Sequence, residues 1–247
     1  MLSNDKNTGL TVLVDKRYLS FLKTLLISLR KTNHKITAFV CLININKSEK
    51  LENDLRLIYE NISFSYLSKD FVSESERRAF CSNYRVMFIK EILNKPLNLL
   101  IYFDADSIIR KDLTLADINP ASDIEILMRD SDDSRFKVAT GAMIIKNNNQ
   151  SKLFFKHWEK NIYPKLFKWF SDQITCYETI EELSNDVVVC QIDERLIDWK
   201  FINSSIVWAG KGNRKYRNIL YRLETIKIRT KNNVLQNIIN RIQEFLN

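Results

Sequence analysis

Leu99-Leu100-Ile101-Tyr102-Phe103-Asp104-Ala105-Asp106 decides how this chain is read. An unbroken apolar run leads straight into two carboxylates separated by one residue. Such a run predicts a strand covered on both faces. The carboxylates fall where that strand leaves its sheet, and in open α/β sheets ligands bind outside the carboxyl ends of strands. Two carboxylates so placed can share a hard divalent cation, Mg2+ or Mn2+, which keeps positions open for phosphate oxygens. On a solvated loop the same residues would be two surface aspartates, so the surroundings must decide.

Upstream, Leu10–Val14 predicts a first strand with Asp15 at its end. Leu19, Leu22, Leu26 and Leu29 recur at helical spacing within Lys16–Lys31. Ile36–Ile43 predicts a second strand, Ser48–Ile58 a helix capped by Ser48, and Ile62–Leu67 a third strand. This alternation predicts a parallel sheet with helices on both faces. Ser75–Leu93 reads as one long helix, stopped at Lys95-Pro96. Downstream, a short helical turn is expected at Leu113–Ala116 and strands at Ile124–Met128, Ala142–Ile145 and Val187–Ile192. Asp130-Ser131-Asp132-Asp133-Ser134 reads as a polar loop, and Lys152–Phe170 as an aromatic-rich helical stretch that includes His157. A helix starting at Ser171 and another over Ile219–Leu246 complete the pattern.

The chain has 247 residues, 45% of them hydrophobic, and only 4 Gly and 3 Pro. This excludes collagen-like and low-complexity classes and allows a full core. We read one α/β domain over residues 1–215 and a basic, amphipathic helical extension over 216–247. The four cysteines form no CxxC pair and lie away from His34 and His157, which argues against structural zinc. Cys41 and Cys190 sit in apolar runs and are expected to be reduced, as suits a cytoplasmic protein. No apolar run approaches the length of a membrane span, and Met1–Asn7 lacks the apolar core of a signal peptide. The formal net charge is +8, concentrated in residues 211–247, where nine Lys/Arg face two Glu. Apolar positions between those charges point to peripheral contact with an anionic membrane rather than to nucleic acid.

Several separate pieces, in this order, resemble the GT-A fold nucleotide-sugar glycosyltransferases, and within them the family 8 galactosyltransferase and glycogenin-like enzymes. Val14-Asp15 with Tyr18 resembles the strand end that binds the nucleoside. Arg85 in Ser82-Asn83-Tyr84-Arg85 matches a donor-contacting arginine, and Asp104-Ala105-Asp106 the metal-binding DxD. Thr140-Gly141-Ala142-Met143 resembles a strand entry of the family, and Asp172-Gln173 a pair that lies beside the transferred sugar. Gly212-Asn213-Arg214-Lys215 matches the second half of a motif whose Lys binds the diphosphate, with Lys211 flanking it.

The resemblance implies a mostly parallel central sheet flanked by helices and transfer of a hexose from a nucleotide diphosphate, UDP above all, to a saccharide or glycolipid. It implies Mn2+ or Mg2+ on Asp104 and Asp106, and a catalytic role for Asp172 and Gln173. Where the family has a histidine as third metal ligand, this chain has Ala209. Water, the diphosphate or another side chain would close the coordination shell, or the metal would be held more weakly. Two other readings stand beside this one. Asp104 and Asp106 also fit the paired aspartates of a haloacid-dehalogenase-like phosphatase, and the fold could serve to bind a nucleotide sugar without transferring it.

Overall fold

A computed structural model describes residues 7–32, 35–114 and 117–246. The turn expected at Leu113–Ala116 lies partly, and His34 wholly, outside them. Strands β1 (Thr8–Asp15), β2 (Thr37–Ile43) and β3 (Ile62–Leu67) pair in parallel, linked by α1 (Leu19–Thr32) and α2 (Glu49–Ile58). Asp15 accepts from the backbone N–H groups of Arg17 and Tyr18, which makes Lys16–Tyr18 a short 3-10 turn and delays α1 to Leu19. Ser48 caps α2 through the N–H of Leu51. Leu22, Leu25, Leu26 and Leu29 of α1 are fully buried against one face of the sheet, each contributing about 1.5–3 kcal/mol.

The single helix expected over Ser75–Leu93 is two helices, α3 (Glu74–Asn83) and α4 (Arg85–Ile92), and its cap is Ser73. The interruption at Tyr84 has a local cause. The Arg85 side chain donates from Nε to the Ser82 carbonyl at 2.5 Å, occupying an acceptor that the continuing helix would use.

The decisive strand, β4 (Leu99–Phe103), is buried along its whole length beside β1. It is followed by β5 (Ser107–Ile109), β6 (Ile124–Met128), β7 (Val138–Lys146), α5 (Asn149–Ile162), α6 (Ser171–Glu182) and β8 (Val189–Gln191). The main sheet has the order β3-β2-β1-β4-β7-β6-β8, with β7 antiparallel to both of its neighbours. The sheet is therefore mostly parallel, as expected. Pro164 follows α5 within a 3-10 turn, so the helical stretch expected to reach Phe170 ends at Ile162. Phe154, Phe155 and Trp158 of α5 fill the core on the second face, and Trp158 Nε1 donates to Thr175 of α6. All four cysteines are free.

The strand β9 (Val207–Ala209) pairs antiparallel with β5 in a separate two-stranded ribbon. Sequence reading found neither strand, because each is three residues long and its partner lies about a hundred residues away. After β9 come α7 (Arg214–Arg217), α8 (Ile219–Arg229) and α9 (Asn233–Leu246). The helix expected over Ile219–Leu246 is thus broken at Thr230–Asn232, where Asn232 accepts from the N–H groups of Val234 and Leu235. Helix α8 packs on α1: Tyr221 is buried, and Arg229 donates to Thr24 and to the Ser20 carbonyl. Among the described residues no helix is long and apolar enough to cross a membrane.

Candidate active site

The carboxyl end of β4 hands the chain directly to the β5–β9 ribbon, and the candidate residues gather at that junction. Asp104 donates its N–H to the Gly141 carbonyl on β7 at 2.9 Å, and its Oδ1 accepts from Tyr102 Oη at 2.8 Å. Arg85 reaches the same Oδ1 at 3.0 Å. A side chain at position 141 would put its Cβ 2.8 Å from Asp104 Oδ2, so glycine there makes room for the carboxylate. Gly141→Ala is expected to displace Asp104 and to lower stability by about 1–3 kcal/mol. Urea denaturation measures the loss, and an unchanged midpoint would show that Asp104 yields freely.

Asp106 is held differently. Its carbonyl accepts from Gly210 N–H at 3.0 Å and Tyr221 Oη at 2.7 Å, so the ribbon and α8 both clamp it. Its Oδ2 accepts from Lys215 Nζ at 2.6 Å, and that ammonium also donates to Tyr18 Oη at 2.9 Å. The rings of Tyr18, Phe21 and Tyr216 surround Lys215 at 4.5, 5.3 and 5.5 Å. Burial pushes the Asp106 carboxyl up while Lys215 pulls it down. Burial pulls Lys215 down, but Asp106 outweighs it and holds the ammonium at about 12.

Arg85 is buried, and each guanidinium nitrogen has a protein acceptor. Nε and Nη2 meet the carbonyl and Oγ of Ser82, and Nη1 meets the Thr140 carbonyl at 2.8 Å and Asp104. Nη2 also lies 3.9 Å from Asp172 Oδ2. Arg85 turns inward, donating to Ser82 and Thr140 and pairing with Asp104, and it lies between Asp104 and Asp172. Asp172 is 2% exposed, and its Oδ2 accepts from Thr140 Oγ1 at 2.5 Å and Ser82 Oγ at 3.3 Å. Phe170, at the start of α6, has φ +65°, a left-handed conformation costly for a bulky side chain, and the turn delivers Asp172 into the interior. Gln173 Oε1 accepts from Arg129 at 2.8 Å. Arg129 follows the carboxyl end of β6, a position whose signal sequence reading passed over.

Asp15 is committed to its turn and to an ion pair with Arg77, and stands with Val14 at the end of β1. Asp133 caps a 3-10 turn and pairs with Arg135, consistent with a polar loop. Lys211 is exposed, its Nζ 4.4 Å above the Trp199 ring. Partial burial and the neighbouring Arg129 and Arg214 charges lower its pKa to about 8, with Asp104 pulling the other way. Lys211, Gly212, Arg214 and Arg217 line an open groove of about 700 Å³ beside Trp199, and a second of about 450 Å³ runs from Trp199 to Arg129 and Asp130. The carboxylate pair lines neither groove.

These contacts test the expected Mn2+ or Mg2+ on Asp104 and Asp106. Among the described residues no three His, Cys, Asp or Glu side chains are grouped to hold a metal, and Ala209 brings no donor atom. Both carboxylates already hold a cationic side chain. At about 4 Å and an effective dielectric near 20, unit charges repel by about 4 kcal/mol, so a dication beside Lys215 meets roughly twice that. The metal does not fit the side chains as they stand.

The nucleotide-diphospho-sugar transferase family model matches residues 50–220. No curated protein matches the chain by sequence. Among the solved structures, 292 chains match its fold. One is the glycosyltransferase GlyE of Streptococcus pneumoniae TIGR4, 12% identical with a TM-score of 0.61, over 94% of this chain and 62% of that one. Another is the galactosyltransferase LgtC, solved with donor and acceptor sugar analogs, 11% identical with a TM-score of 0.59, over 93% and 99%. A third is the bifunctional glycosyltransferase WbbM, 11% identical with a TM-score of 0.52, over 78% and 39%. The chain spans less than two thirds of GlyE and nearly all of LgtC. At these identities the likeness is one of fold.

Proposed function

The chain belongs to the nucleotide-diphospho-sugar transferase family, with a GT-A fold, and from that premise we propose that it transfers a sugar from UDP to a saccharide or glycolipid acceptor. What carries the reading is the convergence of Asp104, Asp106, Lys211 and Lys215 at the strand ends, where the ribbon brings two distant segments together. Val14, Asp15 and Tyr18 receive the nucleoside end of the donor. The diphosphate lies toward Lys211, with Lys215 behind it, so that negative charge building on the leaving group meets fixed ammonium charge. Asp172 stands beside the transferred sugar and stabilises positive charge at its reacting carbon. Gln173, held by Arg129, orients the sugar hydroxyls.

The test is a UDP titration followed by UDP release from a UDP-sugar on adding saccharide acceptors. Binding and acceptor-dependent release are expected. A chain that binds UDP-sugar and never releases UDP would be a binding protein, and one that ignores UDP would refute the donor. Lys211 gives the titration a pH signature. Its ammonium is charged below about 8. UDP affinity is therefore expected to fall as pH rises through that value, and Lys211→Ala to flatten the fall.

Acceptor binding is supported by the aromatic ledge beside Asp172. Phe136, Trp169 and Phe170 stack edge to face, with Phe136 39% and Trp169 48% exposed. Such rings offer an apolar plane to the C–H face of a sugar.

We place the transfer domain at residues 1–215, and assign membrane contact to the basic extension over 216–247. Since α8 is docked on the body, the part free to meet a surface is α9, whose Val234, Leu235, Ile238 and Ile242 are exposed. Truncation after Asn232 is expected to abolish sedimentation with anionic phosphatidylglycerol vesicles while leaving UDP binding intact. Equal sedimentation of both forms would remove the membrane from the proposal.

A further inference from the structure

Resting on the nucleotide-sugar reading of the site, we propose that the Lys215 ammonium occupies, on Asp106, the seat where the sequence resemblance puts a divalent cation, so that the donor binds without metal. The argument starts from position. Lys215 Nζ lies 2.6 Å from Asp106 Oδ2, and the Tyr18 hydroxyl fixes it from a second side. Three aromatic rings cover the remaining approach, which gives the ammonium cation–π partners in place of water. The Lys215 side chain is only 3% exposed, so it is part of the site's frame and not a mobile surface group.

The rest of the site is consistent with a built-in cation. Ala209 pairs with Ser107 across the ribbon, one residue from Asp106, and supplies no ligand atom. Asp104, the other carboxylate, is balanced by Arg85. Lys211 stands within electrostatic reach of Asp104, Arg129 and Arg214, so the entering diphosphate meets side-chain cations. An ammonium on a covalent tether also cannot be lost to a chelator.

The experiment uses the full chain stripped with a chelator. Mn2+ uptake is followed by electron paramagnetic resonance with and without UDP, correcting for chelation by the nucleotide itself. UDP affinity is measured by calorimetry in chelator and in Mn2+. The expected result is no stoichiometric Mn2+ uptake and a change in UDP Kd of less than about threefold. Stoichiometric uptake, or a larger change in Kd, would overturn the proposal. A chain that binds UDP only with Mn2+ keeps the nucleotide-sugar reading and loses this one. A chain that binds no UDP in either buffer loses that reading, and its Mn2+ uptake still decides the seat. Two variants probe the seat directly. Ala209→His alone is expected to take up no Mn2+, because Lys215 still fills the position. Ala209→His with Lys215→Ala, shown to be folded by circular dichroism, is expected to take up one ion. Uptake by the single variant, or none by the folded double variant, would refute the assignment.

Discussion

Replacing Lys215 by methionine is expected to abolish UDP binding in chelator and to lower folding stability by about 3–5 kcal/mol, the usual effect of stranding one member of a buried ion pair. Methionine retains most of the length and the apolar stem of the side chain, so the loss reports chiefly on the charge. Asp106 is left buried at 7% exposure with its Oδ2 partner gone. Adding Asp106→Asn should restore part of the stability and none of the binding, because a neutral pair of similar volume carries no stranded charge. Urea denaturation and UDP titration on the parent and the two variants separate the two effects, and a Lys215→Met protein that is as stable as its parent would contradict the buried pair. The pH dependence has a definite sign. Lys215 is held above its ordinary value of 10.5, so its contribution is complete below that pH and disappears as pH rises through about 12.

Asp172→Asn is expected to slow sugar transfer by about 100–1,000-fold, the range seen when one preorganised electrostatic partner of a transition state is removed. UDP affinity should stay within about threefold, since Asp172 lies beside the sugar and away from the nucleotide. The amide oxygen can still accept from Thr140 and Ser82, so the fold survives and the missing charge is what the rate reports. Initial rates of acceptor-dependent UDP release decide the matter. A variant with the parental rate would remove Asp172 from catalysis and leave it as a packing residue of α6.

Much of this arrangement was legible because it rests on local rules. The apolar run before Asp104, the cap at Ser48 and the alternation of β1 to β3 each follow from a few neighbouring residues. What sequence reading missed depends on partners far along the chain. The strands β5 and β9 are three residues each and exist because they pair with one another. The break between α3 and α4 comes from the Arg85 side chain folding back on the Ser82 carbonyl, which helical periodicity does not register. Arg85 and Lys215 were both legible as site residues by position, but not by partner. One turns inward to Ser82, Thr140 and Asp104, and the other closes on Asp106. The proposed step from a metal site to an ion-paired one rests on those contacts, and the alanine at 209 was its single trace in the sequence.

The two-stranded ribbon also has a consequence for how the molecule assembles. The sheet from β3 to β4 forms from contacts within the first hundred or so residues, whereas Asp106 acquires Lys215 and Tyr221 from 109 and 115 positions away. The ribbon is only two strands of three residues, outside the seven-stranded sheet, and so small a unit opens at lower cost than the central strands. Amide hydrogen exchange should therefore find two tiers of protection. The N–H groups of β1, β2 and β4 exchange only through global unfolding, and those of Ala209, Gly210 and α8 through a cheaper opening that dismantles the site while the sheet survives. Nucleotide binding would act first on that weaker tier, slowing exchange at the ribbon well before it changes the melting of the whole chain.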